Sequence, residues 1–121
     1  MPAVSSKAAE TVSKMNFNEY QFHAHRTLPE RDPGENLAML ALGLAGEVGE
    51  VIEMIKKNLY HGHELDYGKL KKEMGDVAWY LACLAYIFRL DLDDIAQENI
   101  AKLERRYPDG FSADASRNRV E

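Results

Sequence analysis

The sequence predicts an all-α protein, an antiparallel four-helix bundle-like domain. Three observations carry the prediction. Apolar residues recur at a helical period in four stretches, and no strand-like alternation occurs anywhere in the 121 residues. Each stretch is bounded by proline, glycine or a capping side chain. Two pentads, Glu47-Val48-Gly49-Glu50-Val51 and Glu73-Met74-Gly75-Asp76-Val77, repeat one pattern of acid, apolar, Gly, acid, Val. They fall in two neighbouring helical stretches, so a fold-back would bring them together.

The first helix starts at Asn16, with Glu19 three residues on as in a capping box. Phe17, Tyr20, Ala24 and Leu28 share its apolar face. Leu28–Gly34 (LPERDPG) breaks it with two prolines and a glycine. The second helix is expected from Glu35 to Leu59. Leu37, Leu40, Leu44, Val48, Val51, Ile52 and Ile55 keep the period through it. Gly43, Gly46 and Gly49 each weaken a helix by ~1 kcal/mol relative to alanine. The apolar period does not slip across them, and glycines at this spacing leave room for close approach of a helix or a ligand. Tyr60–Leu65 (YHGHEL) is a turn.

Asp66 is the expected N-cap of a third helix, Tyr67 to Arg89, with Leu70, Met74, Val77, Leu81, Leu84 and Phe88 as its apolar stripe. Asp91 is the expected cap of a fourth, Leu92 to Tyr107, with Ile95, Ile100 and Leu103 facing inward. Pro108 and Gly110 end it. The expected organisation is a flexible N-terminal segment over residues 1–14, one helical domain over 15–111, and a polar C-terminal tail over 112–121.

A net charge of −5 without a dense basic stripe argues against duplex nucleic acid as a partner. No run reaches membrane-spanning length, and the polar N-terminus lacks the apolar core of a signal peptide, so a cytoplasmic protein with no membrane role is expected. The single cysteine, Cys83, cannot form an internal disulfide and reads as a packing residue.

On helical wheels, Glu47 and Glu50 sit at the same edge of their apolar stripe as Glu73 and Asp76 do of theirs. Glu50 and Glu73 both lie ~15 Å from the intervening turn at about 1.5 Å per residue. An antiparallel pair would then set Glu50 opposite Glu73 and Glu47 opposite Asp76. Carboxylates so clustered repel, and a divalent cation removes the penalty. Oxygen-only ligands indicate Mg²⁺, with Mn²⁺ able to substitute. A di-iron bundle needs Glu-x-x-His pairs. The residues three before His23, His25, His61 and His63 are Tyr20, Phe22, Asn58 and Tyr60, so that pattern is missing.

On the fourth helix Asn99, Lys102 and Arg106 form a narrow polar strip beside the apolar face. A point charge and a forked donor suit phosphate oxygens, and salt bridges to neighbouring acids would explain them equally well. Tyr80 falls on the carboxylate edge of the third helix, where it either packs in the core or meets a base or sugar. Lys57 near the end of the second helix either complements that helix's negative terminus or contacts phosphate.

At these residues the sequence resembles the MazG-like, all-α nucleoside triphosphate pyrophosphohydrolases. The shared pattern is Glu47-x-x-Glu50, a gap, and Glu73-x-x-Asp76. Three blocks carry it in order: Leu42–Ile55 (LGLAGEVGEVIEMI), Lys72–Leu81 (KEMGDVAWYL) and Asn99–Phe111 (NIAKLERRYPDGF). The family often has a further Glu where this chain has Gly46. The resemblance implies metal roles for Glu47, Glu50, Glu73 and Asp76 and phosphate roles for Lys102 and Arg106, with Asn99 beside them. It also implies a homodimer or homotetramer, which would cover apolar faces left over from the bundle.

The implied reaction is (d)NTP + H₂O → (d)NMP + pyrophosphate. Metal held by the acids would bind the triphosphate and lower the pKa of a water. Glu47 or Glu50 would take the proton, and Lys102 and Arg106 would stabilise phosphoryl charge. Two other functions fit the same helices: a non-catalytic module docking a basic partner on its acids, and a nucleotide sensor that binds without turnover.

Overall fold

A computed structural model describes residues 14–120. The N-terminal segment expected over 1–14 lies, apart from Lys14, outside the described residues. The described residues form five helices: α1 Phe17–His25, α2 Pro33–Tyr60, α3 Tyr67–Ile87, α4 Leu92–Arg106 and α5 Ala113–Arg117. The first four follow the sequence reading closely. The short α5 interrupts what the sequence suggested was only a polar tail. Ser112 starts it by accepting from the Ala115 N–H at 3.0 Å.

The helix starts are fixed by side chains that take up otherwise unpaired N–H groups. Asn16 Oδ1 accepts from Glu19 N at 2.7 Å. Asp32 accepts from Gly34 N at 3.0 Å and Glu35 N at 3.3 Å, with Pro33 following it. Asp66 accepts from Lys69 N at 3.1 Å. Asp91 behaves differently from expectation, because its side chain makes no capping bond. Two residues of α1 take its place. Gln21 Oε1 accepts from Leu92 N at 3.1 Å, and Asn18 Oδ1 accepts from Asp93 N at 3.0 Å.

The end of α3 is closed by two backbone bonds, Arg89 N to Tyr86 O and Leu90 N to Ala85 O, both 2.9 Å. This pattern places one residue in the left-handed region, and here it is Arg89 at φ 58°. Glycine is the usual occupant; a side chain there costs about 1–2 kcal/mol.

The α2 and α3 helices form an antiparallel hairpin, α1 packs across α3, and α4 rests chiefly on α1. Ala82, Cys83 and Ala85 of α3 are buried with Ala24 of α1, Leu40 of α2 and Leu92 of α4. Small side chains on α3 allow that close packing. Trp79 Nε1 donates to Ala24 O at 3.1 Å and lies 2.8 Å from Thr27 Oγ1, tying α3 to α1. Burial pushes the Cys83 thiol up to about 11, so it stays protonated at neutral pH and packs as the sequence suggested.

The glycine row of α2 has one clear structural use. A Cβ on Gly43 would collide with the Tyr80 ring. The glycine therefore lets α2 and α3 approach at that level. Gly46 and Gly49 face open space among the described residues.

The apolar stripes are covered only in part: Leu40 is buried and Leu37, Leu44, Val51, Leu70, Val77 and Leu84 are half-buried, while other members stay exposed. On α2 the residues turned toward α3 include Leu40, Gly43 and Glu47. Val48, Ile52, Ile55 and Leu59 lie about a third of a turn away and are exposed, Ile52 by 58% and Leu59 by 65%. Met74 and Leu81 of α3, Phe88 just past its end, and Ile95, Ile100 and Leu103 of α4 are exposed as well, as is Phe17 on α1. Periodicity identifies an apolar face but not the neighbour that covers it. Here the α2–α3 contact uses small and polar positions, leaving much of each stripe uncovered.

Candidate metal centre

The α2–α3 contact brings three carboxylates together. One oxygen from each of Glu47, Glu73 and Asp76 lies within 4.8 Å of the others. Glu47 and Glu73 are half-buried and Asp76 is exposed. Glu73 and Asp76 share one face of α3 because they are three residues apart; Glu47 meets them from α2.

The register differs from the simple wheel argument. Glu47 is paired with Glu73 as well as with Asp76, while Glu50 stands exposed outside the trio. Glu50 is still close enough to act on Glu47. Desolvation, a hydrogen bond with Glu73, and the charges of Asp76, Glu73 and Glu50 all hold the Glu47 carboxyl above its usual range.

This donor set fits a hard divalent cation. All the available atoms are carboxylate oxygens, their mutual spacing permits one ion to reach all three, and their repulsion is the penalty such an ion removes. Nitrogen and sulfur ligands preferred by zinc are missing from the trio.

A pH dependence follows. Because the folded state raises the Glu47 pKa, the folded metal-free chain holds that proton more tightly than the unfolded chain does. The resulting stability is present below the ordinary carboxylate pKa and is lost as pH rises through the folded value. A cation competes with the same proton. Thermal melts should therefore show a larger magnesium-induced gain at about pH 8 than at about pH 5. Equal gains at both pH values would exclude Glu47 as a ligand.

The other residues singled out by sequence are placed as follows. Tyr80 packs its ring over Gly43 and edge-on to Trp79, with centroids 4.9 Å apart, at the edge of the core. Lys57 lies 3.8 Å from Glu53, which also pairs with Lys56 at 2.9 Å. Lys57 also lines a cavity with Glu50 near the α2–α3 turn. Asn99 lines a groove between α1, α3 and α4 with Phe17, Tyr20, Ala78 and Leu81. Lys102 lines an adjoining hollow along α4 with Asn99. Arg106 is half-buried at the end of α4. Among the described residues, no ion pair joins Lys102 to the acidic trio.

Tyr20 belongs near this site, although the sequence marked it only as part of an apolar face. Burial, then the Cys83 thiol and the Asp76 carboxylate, push its phenol above the ordinary tyrosine value. Only the packing of α1 on α3 reveals that proximity.

Residues 35–111 match the family model of the MazG nucleotide pyrophosphohydrolase domain. The Gene 37 protein of Mycobacterium phage L5 is 34% identical over 92 residues, spanning 73% of this chain and 81% of that protein. No solved structure gives a significant match. No helix among the described residues is long and apolar enough to cross a membrane.

Proposed function

The chain belongs to the MazG nucleotide pyrophosphohydrolase family, and on that premise we propose that it is a magnesium-dependent, cytoplasmic nucleoside triphosphate pyrophosphohydrolase. The reaction is (d)NTP + H₂O → (d)NMP + pyrophosphate. The observation that carries the reading is the convergence of Glu47, Glu73 and Asp76 from two helices.

In this reading the trio holds Mg²⁺, or Mn²⁺ in its place, and Glu50 joins from one turn along α2. Bound magnesium would neutralise triphosphate charge and make water more acidic. Glu47 or Glu50 accepts the proton released when water attacks the α-phosphorus. Lys102 and Arg106 balance charge developing on the pyrophosphate oxygens, with Asn99 beside them on α4. Tyr80 sets the spacing of the two acid-bearing helices, while the half-buried cation Lys57 attracts phosphate toward the hairpin turn.

The uncovered stripe Val48, Ile52, Ile55 and Leu59 supports a homodimer or homotetramer in which another copy covers it. Burying such side chains contributes roughly 1.5–3 kcal/mol each.

A panel of (d)NTPs, assayed for monophosphate and pyrophosphate with Mg²⁺ and with chelator, tests the proposal. Stoichiometric release of both products, abolished by chelator, is expected. Release of inorganic phosphate instead, or thermal stabilisation by nucleotide without product, would overturn it. Lys102→Ala is expected to raise KM for triphosphate by about tenfold, the effect of losing one charge-assisted contact, without changing magnesium affinity.

A further inference from the structure

A cavity of about 470 Å³ lies between α1, the start of α2 and the end of α3. Asn36 and Ile87 line it. Asn36 precedes Glu47 by eleven residues and Ile87 follows Asp76 by eleven (47 − 36 and 87 − 76). The cavity is thus about 16 Å along the helices from the acidic trio, at the far end from the hairpin turn.

Three features of its wall are unexplained by folding alone. Asn36 is only 7% exposed, and its Nδ2 donates to the Pro29 carbonyl at 3.0 Å. That bond fixes the orientation of the amide and leaves Oδ1, which has no partner among the described residues. A buried acceptor without a donor is costly, so an incoming N–H is the natural complement. Arg89 lines the same cavity while holding a left-handed backbone that glycine would adopt without strain. The turn therefore gives no reason for a guanidinium there. Asp91, also in the wall, uses none of its carboxylate to cap α4.

Arg31 contributes a second guanidinium to the lining, and its Nη1 lies 3.6 Å from Met39 Sδ. Pro33 and Tyr86 offer flat apolar surface, and Tyr86 is steadied by stacking on His25 at 4.1 Å. Gln21, in contrast, has its amide nitrogen and oxygen engaged by the backbone.

We propose that this cavity binds a phosphomonoester carried on a flat, amino-bearing ring, such as a purine mononucleotide, at a site separate from the acidic trio. Arg31 and Arg89 pair with the phosphate, as two forked donors do with such an anion. The ring lies against Pro33 and Tyr86, and its amine donates to Asn36 Oδ1. Sugar hydroxyls donate to Asp91. The volume falls in the range of small-molecule sites, about 300–1,000 Å³.

The test is calorimetric titration of the full chain with AMP in EDTA, beside a titration with inorganic phosphate. One AMP per chain is expected, with phosphate alone binding more weakly. Arg89→Gly should fold with an equal or higher Tm, because glycine relieves the turn, yet bind AMP about tenfold more weakly. Arg31→Ala, an exposed position, should weaken AMP binding similarly and guards against a folding defect in the first variant. Asp76→Asn should bind AMP as the parent does. Absence of AMP binding, affinity unchanged in both arginine variants, or loss of binding in Asp76→Asn would each overturn the proposal. Because no metal is present and no turnover is scored, the result stands independently of whether the chain hydrolyses triphosphates.

Discussion

Asp76→Asn is expected to retain the fold and to lose magnesium-dependent pyrophosphate release by on the order of a hundredfold or more. The side chain is exposed and the change nearly isosteric, so packing gives little reason for damage. What changes is charge. Asp76 is one of three carboxylates within 4.8 Å of each other, and it helps hold the Glu47 carboxyl above its usual range. Removing it lessens the repulsion that a cation would otherwise relieve. The variant should therefore melt in EDTA at the parent's temperature or higher, while its gain on adding magnesium shrinks. A residue that merely supports the fold would show the opposite sign in EDTA. Melts with and without magnesium, run beside a pyrophosphate assay across magnesium concentrations, separate the two roles. Parental turnover and parental magnesium affinity together would remove Asp76 from the centre.

Much of this arrangement is visible in local sequence, because its causes are local. Asn16, Asp32 and Asp66 cap helices through N–H groups two or three residues away, so the starts of α1, α2 and α3 are legible. The pentad echo identifies the acids because equal spacing on two antiparallel helices places them on matching faces. The pairing within the cluster is less legible. Whether Glu47 meets Glu73 or Asp76 depends on a shift along the helix axis of a few ångströms. That shift is set partly by how the Tyr80 ring seats on Gly43. The apolar stripes were legible as stripes but misleading as core. Val48 and Ile52 satisfy helical periodicity perfectly well while facing away from α3, and periodicity contains no information about which partner covers them. The proximity of Tyr20 to Asp76 and the cavity beside Arg89 arise from α1 crossing α3, a contact between residues far apart in the chain.

The start of α4 shows the same limit and gives the second large effect. Gln21→Leu is expected to destabilise the chain by about 2–4 kcal/mol. Gln21 is buried and makes three bonds at once: Nε2 to Ala82 O at 3.2 Å, Nε2 to Leu90 O at 2.9 Å, and Oε1 from Leu92 N at 3.1 Å. Leucine fills similar space but leaves the buried Leu92 N–H and the part-buried Leu90 carbonyl without their partner. The expected fall in Tm is roughly 10 °C for a chain of this size. Asn18→Ala should cost about 1 kcal/mol, since it removes one exposed cap bond and leaves water to replace it. The double variant should fall short of the sum, because both residues hold the same helix end. An unchanged Tm in Gln21→Leu would mean that the α4 start is held by something else. The functional consequence has a definite direction. The α4 helix carries Asn99 and Lys102 and rests chiefly on α1, whereas the acidic trio belongs to the α2–α3 hairpin. At temperatures where Gln21→Leu remains folded, loosening α4 should raise KM for triphosphate before it alters magnesium affinity. Parallel loss of both would instead place the two functions on one inseparable structural unit.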